Sequence, residues 1–234
     1  MTIANQFNPW DHGHRIKAIV GHYGSGKTEI ALNLALSARE LGKRSAIVDM
    51  DIVNPFFRTA EQHQLLEQSG VELISPPYAL TGVDLPVLPA EVNKVFADKA
   101  LYTVLDIGGD DAGAAALGGY NRFFANEPCD MYYVVNLFRP FSENKQQILQ
   151  MLDRIARRAR IAPTGLINNA NLAQFTTIDE ILRCHDVLRE VEKESGVPIV
   201  MVTGVPAVLD ALPADFDAPR YPITRHLIPE WMDA

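Results

Sequence analysis

The sequence predicts an α/β fold: three layers, with a mostly parallel sheet of about seven strands and helices on both faces. Three observations predict it. Apolar β-type runs alternate with longer helical patterns along the whole chain. Several of those runs are continuously hydrophobic, as strands covered on both faces must be. The connections are short, which favours right-handed crossovers between parallel strands. The strands fall at 16–20 (IKAIV), 45–49 (SAIVD), 71–75 (VELIS), 101–107 (LYTVLDI), 131–137 (MYYVVNL), 164–168 (TGLIN) and 197–203 (VPIVMVT). Helices are expected at about 27–41, 56–69, 90–99, 143–160 and 177–195. Gly42 and Gly196 follow two of them at the place where a left-handed C-cap belongs. No repeat or low-complexity segment interrupts the pattern, and no composition shift marks a boundary, so residues 1–234 are read as one domain.

Composition narrows the function classes. A net charge of −8 opposes non-specific nucleic-acid binding. No apolar stretch reaches the length needed to span a bilayer, and the first residues lack a signal-peptide core. The two cysteines, Cys129 and Cys184, stand far apart and suit a reducing compartment, so a cytoplasmic location is expected. The pair His12 and His14 near the N-terminus is read as solvated. Arg154, Arg157, Arg158 and Arg160 are read as complementing a helix dipole. The Pro-rich stretch 76–89 (PPYALTGVDLPVLP) carries enough apolar residues to be an ordered loop.

Directly after the first strand the chain reads GHYGSGKTE, matching G-x-x-x-x-G-K-[ST] between a strand and a helix. Glycines in such a loop let backbone N–H groups converge on phosphate oxygens, and the helix that follows adds its positive end. The expected nucleotide cradle is therefore Gly21, His22, Tyr23, Gly24, Ser25, Gly26, Lys27, Thr28 and Glu29. Lys27 would reach the β- and γ-phosphates, and the Thr28 hydroxyl would bind Mg²⁺. Ile30, Leu32, Leu34 and Leu36 make the helix apolar almost all round, so it should be central.

Two further strand ends carry carboxylates, VDMDIVNP (48–55) and VLDIGGDD (104–111). Ligands of an open parallel sheet sit outside the carboxyl ends of its strands, so Asp49, Asp51 and Asp106 should face the loop. Asp106 is expected to hold Mg²⁺ with Thr28, and Asp51 beside them to join the cation or orient the attacking group. Gly108 and Gly109 would let the backbone approach the γ-phosphate, Gly109 sensing it. Helix capping around Pro55 is the alternative role of Asp49 and Asp51.

This constellation resembles the nucleotide-binding domain of the MinD/ParA ATPases and the CobQ/CobB amide synthetases, a P-loop NTPase family of SIMIBI type. The resemblance spans roughly the whole chain through GHYGSGKT, VDMDIVNP, LDIGGD and LINNANL. That family carries an extra lysine where this chain has His22, followed here by Tyr23 in place of glycine. Arg58 and Arg139 could supply the missing charge. The resemblance also implies that Asn168 and Asn169 meet the base and that 202–210 (VTGVPAVLD), with Pro206, closes over it. No N-K-x-D signal for guanine is present, which favours ATP over GTP. A homodimer is a further implication.

The motifs leave more than one function class. One is an ATPase switch acting on an unidentified partner; the other is a synthetase that phosphorylates a small carboxylate. For the second, loops 76–89 and 112–124 would form the substrate pocket, with Tyr78, Tyr120 and Arg122 as candidates. A metal-delivery GTPase is disfavoured by the isolated cysteines. The tail 220–234, with Trp231, is expected to pack on the body of the domain rather than on a membrane.

Overall fold

The computed structural model describes residues 7–51, 60–74, 91–109 and 111–227. The strands are β1 (Ile16–Gly21), β2 (Arg44–Met50), β3 (Val71–Ile74), β4 (Leu101–Ile107), β5 (Cys129–Val135), β6 (Gly165–Asn168), β7 (Ile199–Gly204) and β8 (Arg220–Pro222). The helices are α1 (Lys27–Glu40), α2 (Ala60–Ser69), α3 (Val92–Ala97), α4 (Asp111–Gly118), α5 (Asn121–Phe124), α6 (Lys145–Ala159), α7 (Ile178–Ser195) and α8 (Pro206–Asp210).

Among the described residues the strands form one eight-stranded sheet in the order β3-β2-β4-β1-β5-β6-β7-β8, parallel throughout. Strand pleating sends alternate residues to opposite faces. Ile16, Ala18 and Val20 of β1 join one core, with Leu105 and Ile107 of β4 and Ile148, Leu152 and Ile155 of α6. Ile19, Ile47, Val104 and Val134 join the other, beneath Ile30, Leu32 and Leu34 of α1. Filling both faces is what requires the unbroken hydrophobic runs. Each of these buried Ile and Leu side chains contributes about 1.5–3 kcal/mol.

Helix ends follow their local chemistry. Thr177 caps α7 in a reciprocal capping box with Glu180, and Asn144 caps α6 by accepting from Gln147 N. Gly42 and Gly196 take the left-handed conformation expected of them. Helix α1 differs: Trp10 donates to Leu34 O at 3.0 Å and covers its outer side, so α1 is enclosed rather than amphipathic.

The expected parallel sheet is present, and Arg220–Pro222 adds β8 beside β7 to make eight strands among the described residues. One expectation needs correcting. Residues 112–124 are not a substrate loop, since they fall in α4, α5 and the turn between them. Tyr120 is buried, its ring 5.8 Å from Phe96, and Arg122 lies over the Phe123 ring at 4.8 Å. Tyr120 is thus held within an aromatic cluster, and Arg122 stacks on its exposed edge. Tyr78 and the loop 76–89 lie outside the described residues, as do Pro55, Arg58 and Trp231.

Candidate functional site

β1 is central, between β4 and β5, and the chain order reverses around it, which opens a crevice at the carboxyl ends. The register brings the candidates to that edge: Asp106 pairs with Ile19 of β1 and with Asp49 of β2. The glycine-rich loop leaves β1 at Gly21 and turns back, Ser25 N donating to His22 O at 3.2 Å. Gly26 then caps α1 with φ +90°, a conformation that disfavours any side chain. Gly26 offers no side-chain cap to the first turn of α1. Its N–H groups, with the helix dipole behind them, make a ready anion site.

Lys27 is buried, and its ammonium donates to the His22 carbonyl at 3.0 Å. Gly109 lies against the same loop. A Cβ there would stand 2.6 Å from Tyr23 N and 2.9 Å from Lys27 Nζ. The end of β4 thus touches both the loop backbone and the Lys27 ammonium, which only glycine permits. A Cβ on Gly108 would stand 3.2 Å from Asp51 Oδ1, so the three segments meet. Asp51 N donates to Asp49 Oδ1 at 3.0 Å, holding the end of β2 in place.

Asp106 is the most unusual group in the crevice. It is fully buried, and among the described residues neither carboxylate oxygen receives a hydrogen bond of good geometry. Burial pushes its pKa up to about 7; Lys27 and then Thr28 oppose that, while Asp49 and Asp51 reinforce it. An orphaned buried carboxylate beside a threonine hydroxyl fits a hard divalent cation. Among the described residues no three His, Cys, Asp or Glu side chains are placed as a metal cage. The cation would therefore take its other ligands from phosphate and water, as Mg²⁺ does.

A consequence can be measured. Because the folded pKa of Asp106 is raised, its favourable contribution is full below its unfolded value and is lost as pH rises through about 7. Asp106→Asn removes the buried charge, so the ligand-free variant is expected to melt at least a few degrees above wild type at about pH 8, with the gap shrinking towards about pH 5. Thermal melts of both proteins check it; a gap of equal size at both pH values contradicts it.

Several sequence candidates do other work. The Glu29 carboxylate accepts from His226 N at 2.9 Å and Leu227 N at 3.1 Å, so it fastens the C-terminal segment to α1. Asn33 pairs with Thr224 through two hydrogen bonds, at 2.9 and 2.8 Å, one turn further on. Asn168 is fully buried, donating to Ile181 O and accepting from Ala170 N. Asn169 donates to Ser25 O at 2.7 Å and accepts from Thr203 Oγ1 at 2.7 Å. These amides are engaged inside the fold rather than presented to a base: Asn169 ties the glycine-rich loop to β6 and β7. Pro206, exposed, opens α8 after β7 at the same edge.

His22 is half-buried, 5.3 Å from the Phe141 ring, and burial holds its pKa below the ordinary histidine value despite the Tyr23 carbonyl; Lys27 and Arg154 lower it further. The Tyr23 carbonyl, 3.1 Å from Nδ1, accepts the proton of the neutral ring. His22 is thus no substitute for a lysine charge. Sequence reasoning also passed over Asn136 and Asn171. Asn136 Nδ2 donates to Asn171 O at 3.1 Å and Asn171 Nδ2 to Asn169 O, which fixes the two loops flanking the cradle. Asparagine directly after an apolar strand, as in VVNLF, was the available signal.

Sheet order, glycine-rich loop and strand-end carboxylates together define the fold of the P-loop nucleoside triphosphatases. No known family model matches the chain, and no characterised protein matches it by sequence. Solved structures do match. The cell division protein FtsY from Thermotoga maritima is similar at TM-score 0.54 and 19% identity, over 87% of this chain and 65% of that one. Chloroplast FtsY from Physcomitrella patens gives 0.53 and 18%, over 82% and 58%. The signal recognition particle receptor FtsY from Elizabethkingia anophelis, in complex with GDP, gives 0.51 and 17%, over 82% and 58%. This chain spans about three fifths of the length of these relatives. At such identities the likeness concerns the fold.

Proposed function

We propose that the protein binds and hydrolyses a nucleoside triphosphate with Mg²⁺, as a switch acting on a partner. The observation that carries the reading is the buried, orphaned Asp106 carboxylate facing Thr28 and Lys27 across an uncapped helix N-terminus. Loop amides from His22 to Thr28 would bind the phosphates, Lys27 would neutralise them, and Thr28 and Asp106 would hold Mg²⁺. The cation would offset charge on the phosphate oxygens. Asp51 orients the attacking water, and Gly109, resting on Lys27 and Tyr23, shifts when a γ-phosphate enters. The reading treats residues 1–234 as one cytoplasmic domain, consistent with the two buried free thiols. Among the described residues no helix is long and apolar enough to cross a membrane.

With Asn168 and Asn169 engaged internally, base recognition falls to residues 170–176 and to the segment around Pro206. ATP is proposed, because the chain has no guanine-type N-K-x-D signal. The GDP held by the E. anophelis relative makes GTP the competing nucleotide. The partner includes a second copy of this chain as a candidate, since exposed Tyr23, Phe141, Leu172 and Phe175 lie in the connections between strands and the long helices at the site edge. The synthetase reading loses support, because residues 112–124 are packed helix rather than pocket.

Phosphate release by the purified protein with MgATP or MgGTP and nothing added tests the proposal. Turnover is expected, and Asp51→Ala should remove about 99% of it while leaving nucleotide affinity within about threefold. Turnover that survives in Asp51→Ala places the nucleophile elsewhere. Tight binding without turnover in wild type means that a required partner or second substrate is missing.

A further inference from the structure

The phosphate loop contains one lysine, and His22 beside it is neutral, so the charge of a triphosphate exceeds what the loop itself supplies. A second cation stands against the loop. Arg139 lies in the turn between β5 and α6, with its N–H bonded to Asn136 O at 3.1 Å and its carbonyl accepting from Ser142 N at 3.2 Å. Asn136 is itself fully buried and accepts from Phe138 N, so this turn is anchored to the end of β5. From there the Arg139 side chain extends along Gly24. A Cβ on Gly24 would stand 3.4 Å from Nε, 3.5 Å from Cδ and 3.7 Å from Cζ.

Two residues on, Phe141 places its ring against His22, with its own backbone held at φ +60°. A bulky residue in that conformation is strained, and such strain persists where the surroundings impose it. The turn therefore grips the phosphate loop at two points, Phe141 on His22 and Arg139 on Gly24. Four arginines elsewhere are ion-paired: Arg15 with Glu127, Arg44 with Asp98, Arg157 with Asp153 and Arg189 with Glu192. Arg139 is exposed, and its guanidinium has no ion pair or hydrogen bond among the described residues. A planar, permanently charged fork held at a phosphate cradle suits the terminal phosphate of a nucleotide.

We propose that Arg139 is a cis-acting cation for the γ-phosphate, reaching it over Gly24 from the β5–α6 turn. The inference rests on the nucleotide-binding reading above and assigns a residue outside the loop motif to it. Arg139→Met keeps an aliphatic stem against Gly24 and removes only the charged fork. Calorimetric titration with the pairs AMP-PNP and ADP, and GMP-PNP and GDP, all with Mg²⁺, provides the test.

For the pair that wild type binds, the triphosphate analogue should weaken about ten- to a hundredfold in Arg139→Met, with the diphosphate within about twofold. Arg139→Lys, which keeps the charge without the fork, should recover part of the loss. A merely structural role would weaken both nucleotides together, and that result overturns the proposal. No change in either also overturns it. If wild type binds neither pair, the nucleotide reading itself falls and takes the inference with it.

Discussion

Lys27→Ala is expected to abolish measurable nucleotide binding while leaving the fold in place. The ammonium is buried at the mouth of the loop, where it donates to the His22 carbonyl and lies close to Asp106. A charge–phosphate interaction in such an enclosed site is far stronger than at a surface, and the binding loss should reach at least about a hundredfold. Stability should barely respond, because the side chain crosses no core and its carbonyl partner is half-exposed. Asp106, whose pKa already stands at about 7, can take up a proton when the ammonium is removed, so no buried charge is left uncompensated and the melting temperature should stay within about 3 °C of wild type. Calorimetric titration with MgATP and MgGTP, alongside a thermal melt, separates the two effects. Retained affinity contradicts the assigned role, and a collapsed melt contradicts the assignment of Lys27 to ligand rather than fold.

Asp130→Ala is expected to do the reverse, costing about 3–5 kcal/mol of stability without touching the site directly. Asp130 sits at the opposite, N-terminal end of the sheet. Its Oδ2 accepts from Lys17 Nζ at 2.7 Å and from His14 N at 2.8 Å. Lys17 is fully buried between the rings of Trp10 and Tyr132, at 4.9 and 5.2 Å from their centroids. Burial holds the Lys17 ammonium below the ordinary lysine value even with Asp130 beside it. Without Asp130 that charge has lost its counter-ion, and the turn at 11–14 has lost its anchor. The melting temperature should drop by roughly 6–20 °C. Lys17→Met added to Asp130→Ala should recover part of the loss, because an uncharged stem no longer needs a partner. A drop of less than about 2 °C in the single variant contradicts the account of this pair.

Residues around the crevice differed in how much of their role could be read from sequence. The strand–loop–helix arrangement of the glycine-rich loop was legible because it is local: strand, loop, lysine, threonine and the start of the helix lie within fourteen residues, 16–29. The carboxylates Asp49, Asp51 and Asp106 were legible by position, since a parallel sheet exposes its strand ends together. Glu29 and Asn169 were not, because their partners lie far along the chain. Glu29 meets His226 and Leu227, and Asn169 meets Ser25 and Thr203. An acidic residue in a first helical turn and an asparagine after a strand look the same whether they face a ligand or another segment.

Helix α4 was hidden by its glycines. Gly113 and Gly118 suggest a loop, yet a Cβ on either would stand 2.5 Å from a carbonyl, that of Gly108 or of Arg158. They are there for close packing, which no local pattern announces. Strand β8 is three residues long and ends in proline, so only its pairing with β7 makes it a strand. The tail beyond it was expected to pack on the body. Through Leu227 it does so by hydrogen bonds from its own backbone to Glu29 and Asn33.

The central claim is that this chain is a nucleotide-binding protein whose triphosphate site is built from Lys27, Thr28 and Asp106. Equilibrium titration of the wild-type protein with fluorescent ATP and GTP analogues, with and without Mg²⁺, tests it most directly. The account predicts saturable binding of one of them at about micromolar Kd, weakened at least about tenfold when Mg²⁺ is chelated. Absence of binding for both nucleotides up to about millimolar concentration, by a protein with an intact melting transition, would contradict it.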